Sequence, residues 1–125
     1  MENKETRSSG RITGDNAEEA VVKLMTASGY ILICRNFEVH NVGELDCVFE
    51  KAGEIYVIEV RSRRNIGSFP SSAETVDYRK RRKIIKTTER LIERYGLHGK
   101  NIVFLVAQVT HNASGMIKNI ELIPF

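Results

Sequence analysis

The sequence predicts an α/β domain, a mixed sheet sandwiched between helices in the order α-β-β-β-α-β-β. Three observations carry that prediction. Residues 44–50 alternate, with Leu45, Cys47 and Phe49 on one side and Glu44, Asp46, Val48 and Glu50 on the other, the period of a strand. Residues 55–60 read Ile-Tyr-Val-Ile-Glu-Val, the nearly unbroken apolar run of a strand covered on both faces. Residues 78–95 place apolar side chains three and four apart, the spacing of an amphipathic helix.

Taken in order, residues 1–12 are polar and are expected to form a disordered tail, leaving 13–125 as a single domain. Asp15 then stands as a helix cap, with Glu18 three residues on completing a capping-box-like pair. Ala17, Ala20, Val21, Leu24 and Met25 form the apolar stripe of this first helix, and Gly29 ends it. Tyr30 to Phe37 reads as the first strand.

The two strands that follow are joined at Ala52-Gly53, where Gly53 can supply a positive φ. A two-residue turn there puts Lys51 opposite Glu54, Phe49 opposite Tyr56, Cys47 opposite Ile58 and Leu45 opposite Val60. That face is wholly apolar, which fixes the register, because a slip of one residue would invert every side chain. On the other face the same register opposes Asp46 to Glu59 and Glu44 to Arg61. Like charges directly opposed in a sheet repel. A divalent cation with oxygen ligands is the simplest relief for Asp46 and Glu59; the plain alternative is a solvated strand end.

Residues 62–76 form a long loop broken by Gly67 and Pro70. Asp77 caps a second helix over about 78–95, with the stripe Ile84, Ile85, Thr88, Leu91, Ile92 and Tyr95, and Gly96 at its exit. Ile102 to Val109 is a buried strand, Asn112 to Gly115 a turn, and Met116 to Ile123 the last strand.

Charge is unevenly spread. The formal net charge is +3. Residues 61–100 hold twelve Lys/Arg against four Asp/Glu, a surplus of +8, so the rest of the chain carries −5. A basic segment beside acidic side chains suits a polyanion brought to a metal. The run Arg79-Lys80-Arg81-Arg82-Lys83 opens the second helix, where cations oppose the helix dipole unless an anion binds nearby. Arg61, Arg63 and Arg64 precede it. These residues read as contacts to a nucleic-acid backbone, the alternative being a solvated basic face. No ladder of aromatic residues accompanies them, so stacking along a single strand is not indicated.

No apolar run reaches the ~20 residues of a membrane-spanning helix, and the first ten residues lack the apolar core of a signal peptide. Cys34 and Cys47 have no metal spacing and read as reduced strand residues of a cytoplasmic protein. His40, His98 and His111 are scattered and read as incidental. No nucleophilic triad and no phosphate-cradling Gly loop is evident.

The motifs Gly14-Asp15-Asn16-Ala17-Glu18, Gly29-Tyr30, Arg35-Asn36, Gly43-Glu44-Leu45-Asp46, Ile58-Glu59-Val60-Arg61-Ser62-Arg63, and Val76 with Lys80 together resemble the YraN-like uncharacterised protein family. That family is similar to Holliday junction resolvases and the wider PD-(D/E)xK nucleases, and the likeness runs from about Gly14 to Phe125. It implies a restriction-endonuclease-like fold, with Asp46 and Glu59 holding Mg²⁺ or Mn²⁺ and Glu18 as an accessory ligand. Branched or otherwise structured DNA is the implied partner, and a homodimer is suggested by analogy. Two positions depart from the pattern. Arg61 stands where a catalytic Lys is usual, and Val103 where Asp is frequent on the fourth strand.

Arg61 stays protonated and cannot act as a base, though it can stabilise developing charge. Lys80 could supply an ammonium from the helix instead. Three readings follow: a metal-dependent endonuclease, a catalytically silent nucleic-acid-binding module, and a protein-interaction scaffold.

Overall fold

The computed structural model describes residues 9–64 and 77–125, with side chains over 16–63 and 77–125. Its elements follow the expected order: α1 (Ser9–Ala27), β1 (Ile31–Val39), β2 (Gly43–Lys51), β3 (Glu54–Arg64), α2 (Tyr78–Tyr95), β4 (Asn101–His111) and β5 (Ile117–Pro124). The strands form one five-stranded sheet in the order β1-β2-β3-β4-β5. Every pairing is antiparallel except β3 with β4, which run parallel. A parallel pair needs a long crossover, and the span containing α2 makes it. Among the described residues no helix is long and apolar enough to cross a membrane.

The helices cover opposite faces. Ala17, Val21 and Met25 of α1, spaced at i, i+4 and i+8, pack on Cys47, Phe49, Ile58, Ala107 and Val109. Ile84 and Leu91 of α2 pack on Phe37, Leu45, Val48, Ile55 and Val57. β3 and β4 are therefore covered on both sides, which accounts for their continuous apolar runs. Both cysteines are free thiols, Cys47 buried and Cys34 half-buried.

Several expectations change at element ends. The first helix starts at Ser9 rather than beyond Asp15, so Asp15 lies inside it. Helical pairing runs through Gly14, whose cost of roughly 1 kcal/mol in a helix is too small to stop it. Of the expected tail, residues 9–12 are helical and 1–8 lie outside the described residues. Of the expected loop, residues 62–64 extend β3 beside β4 and 65–76 lie outside the described residues. On α2, Thr87 is buried in the stripe, whereas Ile85 and Tyr95 are exposed. The α2 ends agree with expectation: Asp77 Oδ1 accepts the Lys80 N–H at 2.9 Å, and Gly96 closes the helix at φ 65°.

The β2–β3 register holds from Lys51↔Glu54 to Cys47↔Ile58 and stops there. Asp46 and Glu59 therefore do not pair, and Glu44 opposes Glu38 of β1 rather than Arg61. The alternation of β2 breaks at the same place. Cys47 faces α1, yet Leu45 joins Val48 and Phe37 on the α2 side. On β1, Asn36 lies between Arg35↔Cys47 and Phe37↔Leu45 with φ 52°, a left-handed kink opposite Asp46. Past this kink Phe37 and its partner Leu45 lie together on the α2 side.

Gly43 opens β2 tight against α2. A methyl group there would meet the Thr87 Oγ1 at 2.6 Å. At the β2–β3 turn, Ala52 and Gly53 both take positive φ, 53° and 81°. Left-handed backbone costs an L-residue with a Cβ about 1–2 kcal/mol, and Asn tolerates it better. Ala52→Asn should therefore raise stability by about 0.5–1 kcal/mol, read as a higher urea midpoint at unchanged slope.

Candidate functional site

Where β2 and β3 part, the backbone of β3 is satisfied by a side chain. The Val60 N–H donates to Asp46 Oδ2 at 2.7 Å. This bond draws the Asp46 carboxyl over β3 and against Glu59, and the two carboxyl groups come within hydrogen-bonding reach. Glu59 is buried, and by strand alternation it points to the α2 side. There Lys80 of the first turn of α2 places its Nζ 2.6 Å from Glu59 Oε2. Two acids from separate strands and an ammonium from a helix thus meet in one cavity of about 420 Å³. Glu44, Asp77, Arg79 and Lys83 also border it.

Burial, and then the Glu59 charge, push the Asp46 carboxyl up to about 7, against the pull of the Val60 amide. Burial also raises Glu44, joined by the charges of Glu38, Glu18 and Glu59 and opposed by Lys80. Four carboxyl groups, of Glu44, Asp46, Glu59 and Asp77, and three cationic side chains, of Arg79, Lys80 and Lys83, line the cavity. Carboxylate oxygens under mutual repulsion fit a hard divalent cation. Among the described residues no three metal-ligating side chains gather around one point. Mg²⁺ commonly takes one or two carboxylates and completes its shell with water and phosphate.

The other predicted site residues sort clearly. Glu18 is held by Arg35 of β1 at 3.3 Å, beside a second contact from Arg35 to Glu19 at 3.0 Å; it acts on Asp46 through charge. Arg61 is half-buried and shares the Glu59 side of β3 by alternation. Arg63 lies near the end of that strand, and the Arg64 side chain is outside the described residues. Arg79, Lys80 and Lys83 turn toward the cavity, while Arg81 and Arg82 are exposed on the helix surface. Position 103 is away from the site, in register with Tyr56; the β4 residue beside Glu59 is Val106.

Two features escaped the sequence reading. Ser62 Oγ and His111 Nδ1 lie 3.2 Å apart on the exposed surface, brought together by the β3–β4 pairing. Gln108, in register with Arg61, is 6 % exposed, and neither its Nε2 nor its Oε1 has a hydrogen-bond partner. A polar residue inside the apolar run 102–109 was the available signal.

The family model described as Uncharacterised protein family UPF0102 matches residues 17–110. The chain belongs to that family. Its relatives include UPF0102 proteins of Persephonella marina, 35 % identical over 86 % of this chain and 91 % of the relative, and of Fervidobacterium nodosum, 36 % identical over 84 % and 76 %. A third, from Dictyoglomus turgidum, is 29 % identical over 89 % and 92 %. The matched span of the UPF0102 model contains Asp46, Glu59 and Lys80 together. The resemblance drawn from the motifs to the YraN family is therefore family membership.

Two outcomes follow for this UPF0102 protein. In the unfolded chain Asp46 ionises near 3.8, in the fold near 7. Below the lower value both states are protonated and Asp46 costs nothing; as pH rises to about 7 the unfolded state ionises first and stability falls. Asp46→Asn should therefore be more stable than wild type at pH 8 by more than about 1 kcal/mol, with the gap closing near pH 4, as read from urea unfolding. Gln108→Leu should stabilise the metal-free protein by about 1 kcal/mol, since it removes an unsatisfied buried amide; a lower melting temperature would count against that account.

Proposed function

We propose that this protein hydrolyses phosphodiester bonds in structured DNA with Mg²⁺ or Mn²⁺ held by Asp46 and Glu59. One observation carries the reading: half-buried Asp46 and buried Glu59 line one cavity, with the Lys80 ammonium 2.6 Å from Glu59. The chemistry a divalent cation supplies at such a pair is polarisation of a phosphoryl oxygen and a lowered pKa for a coordinated water.

The remaining roles fall to the chain. Asp46 keeps its orientation through the Val60 amide, leaving its other oxygen for the cation. Lys80, a compact ammonium on a flexible stem, stands beside Glu59 and stabilises charge that develops on the phosphate. The usual strand lysine is thus replaced by one from α2, and Arg61 is left to hold a phosphate oxygen as a fixed cation. Arg79, Arg81, Arg82 and Lys83, with Arg63 and Arg64 on the approaching strand, hold the DNA backbone. A reducing cytoplasm fits the two free thiols.

A silent DNA-binding module is the second reading, favoured by the same short contact, because Lys80 already neutralises Glu59. Cleavage of branched, flapped and linear DNA with Mn²⁺ separates the two. The wild type should cut. Asp46→Asn, Glu59→Gln and Lys80→Met should each lose about a hundredfold or more, and Arg61→Lys should stay within about tenfold of wild type. Salt-dependent DNA binding that fails when residues 79–83 are neutralised, with no cutting by wild type, would leave the silent module standing.

A further inference from the structure

Tyr78 is the most exposed large side chain of the described apolar set, at 72 %. It is also the first residue of α2, set between Asp77 and Arg79, which both border the acidic cavity. The Arg82 guanidinium lies over its ring at 5.7 Å from the centroid. That contact braces the ring from within the helix, since residues four apart share a face. With the residue so exposed, the ring keeps a face open to solvent.

An unbraced surface tyrosine needs no explanation. This ring, however, stands among Arg79, Lys80, Arg81, Arg82 and Lys83, the densest cationic run of the chain. Phosphates drawn to those cations would carry their bases past an open aromatic face. A planar ring in that position offers what a base displaced from its helix lacks, a stacking partner. A duplex without interruption cannot use it, because its bases are already stacked.

We propose that Tyr78 stacks on one unpaired nucleobase beside the basic first turn of α2, so that the preferred substrate class is a nucleic acid with a displaced or extruded nucleotide. The absence of an aromatic ladder agrees with one base rather than a bound strand. The inference takes the polymer from the phosphodiester reading, yet it concerns binding and does not need cutting. Arginine behind the ring also resists being pulled away by the phosphates, since the ring itself attracts its charge.

The test is binding in EDTA at low salt, by anisotropy, to a perfect duplex, the same duplex with a single-nucleotide bulge, and one with a 5′ flap, each as DNA and as RNA. The wild type should prefer the bulged and flapped forms by about tenfold. Tyr78→Ala should lose that preference while binding the perfect duplex as before, and Tyr78→Phe should keep it. The chain has no tryptophan, so Tyr78→Trp adds a unique reporter whose emission should be quenched by the bulge and not by the duplex.

The proposal is overturned if the wild type shows no preference for an unpaired base, if Tyr78→Ala keeps the preference, or if the loss falls equally on all three forms. The two functional readings fail separately. A preference that depends on Tyr78 without any Mn²⁺-dependent cutting overturns hydrolysis and leaves the stacking site. Cutting that ignores Tyr78 does the reverse. The DNA and RNA arms decide which polymer supplies the base.

Discussion

One hydrogen bond shapes the site: the Val60 amide given to the Asp46 carboxylate at 2.7 Å. In a regular antiparallel ladder that amide would go to a β2 carbonyl, and Asp46 would stand opposite Glu59 with its carboxyl free to lean toward water. Here the ladder stops one residue earlier, at Cys47↔Ile58. The backbone donor is still satisfied, as a half-buried amide must be. It is satisfied by a charge, however, and the charge is thereby held against a second one. The repulsion between the two acids follows from the way the sheet ends.

The helices close the arrangement from either side with different tools. α1 contributes packing on the far face and a ring of charge, Glu18 and Glu19 gripping Arg35 of β1. α2 contributes the cation. Its first turn is aimed at the parting of the strands because Asp77 caps it there and because Gly43 lets it lie close. A lysine on the strand, two residues after Glu59, would reach the same carboxylate from the same backbone. A lysine on the helix reaches it from another element, so position 61 can carry an arginine, which gives up no proton.

Much of this fold was legible in the chain. The apolar face of Cys47, Phe49, Tyr56 and Ile58 fixed the hairpin register, and Asp77 and Gly96 marked both ends of α2, because these signals act locally. The break at Asp46 was not legible. Alternation assumes a regular strand, and the left-handed Asn36, past which Leu45 joins the α2 side, lies on another strand. Asp15 misled for the opposite reason, since a good capping residue says nothing of whether the helix has already begun. Of the site, Asp46 and Glu59 could be named from sequence as a pair. That Lys80 completes it could not be, because the angle at which α2 meets the sheet is set by packing. Gln108 was hidden within an apolar run that told truly of a strand and nothing of an unsatisfied amide.

Gly43 carries no charge and touches no proposed ligand, yet it stands at the threshold between sheet and helix. With only 2.6 Å between its missing methyl and the Thr87 hydroxyl, a side chain there could be housed only by moving that hydroxyl or the helix that carries it. The close approach of helix and sheet thus rests on a residue that has no side chain. In this molecule an empty volume is as much a component of the electrostatics as the charged groups around it.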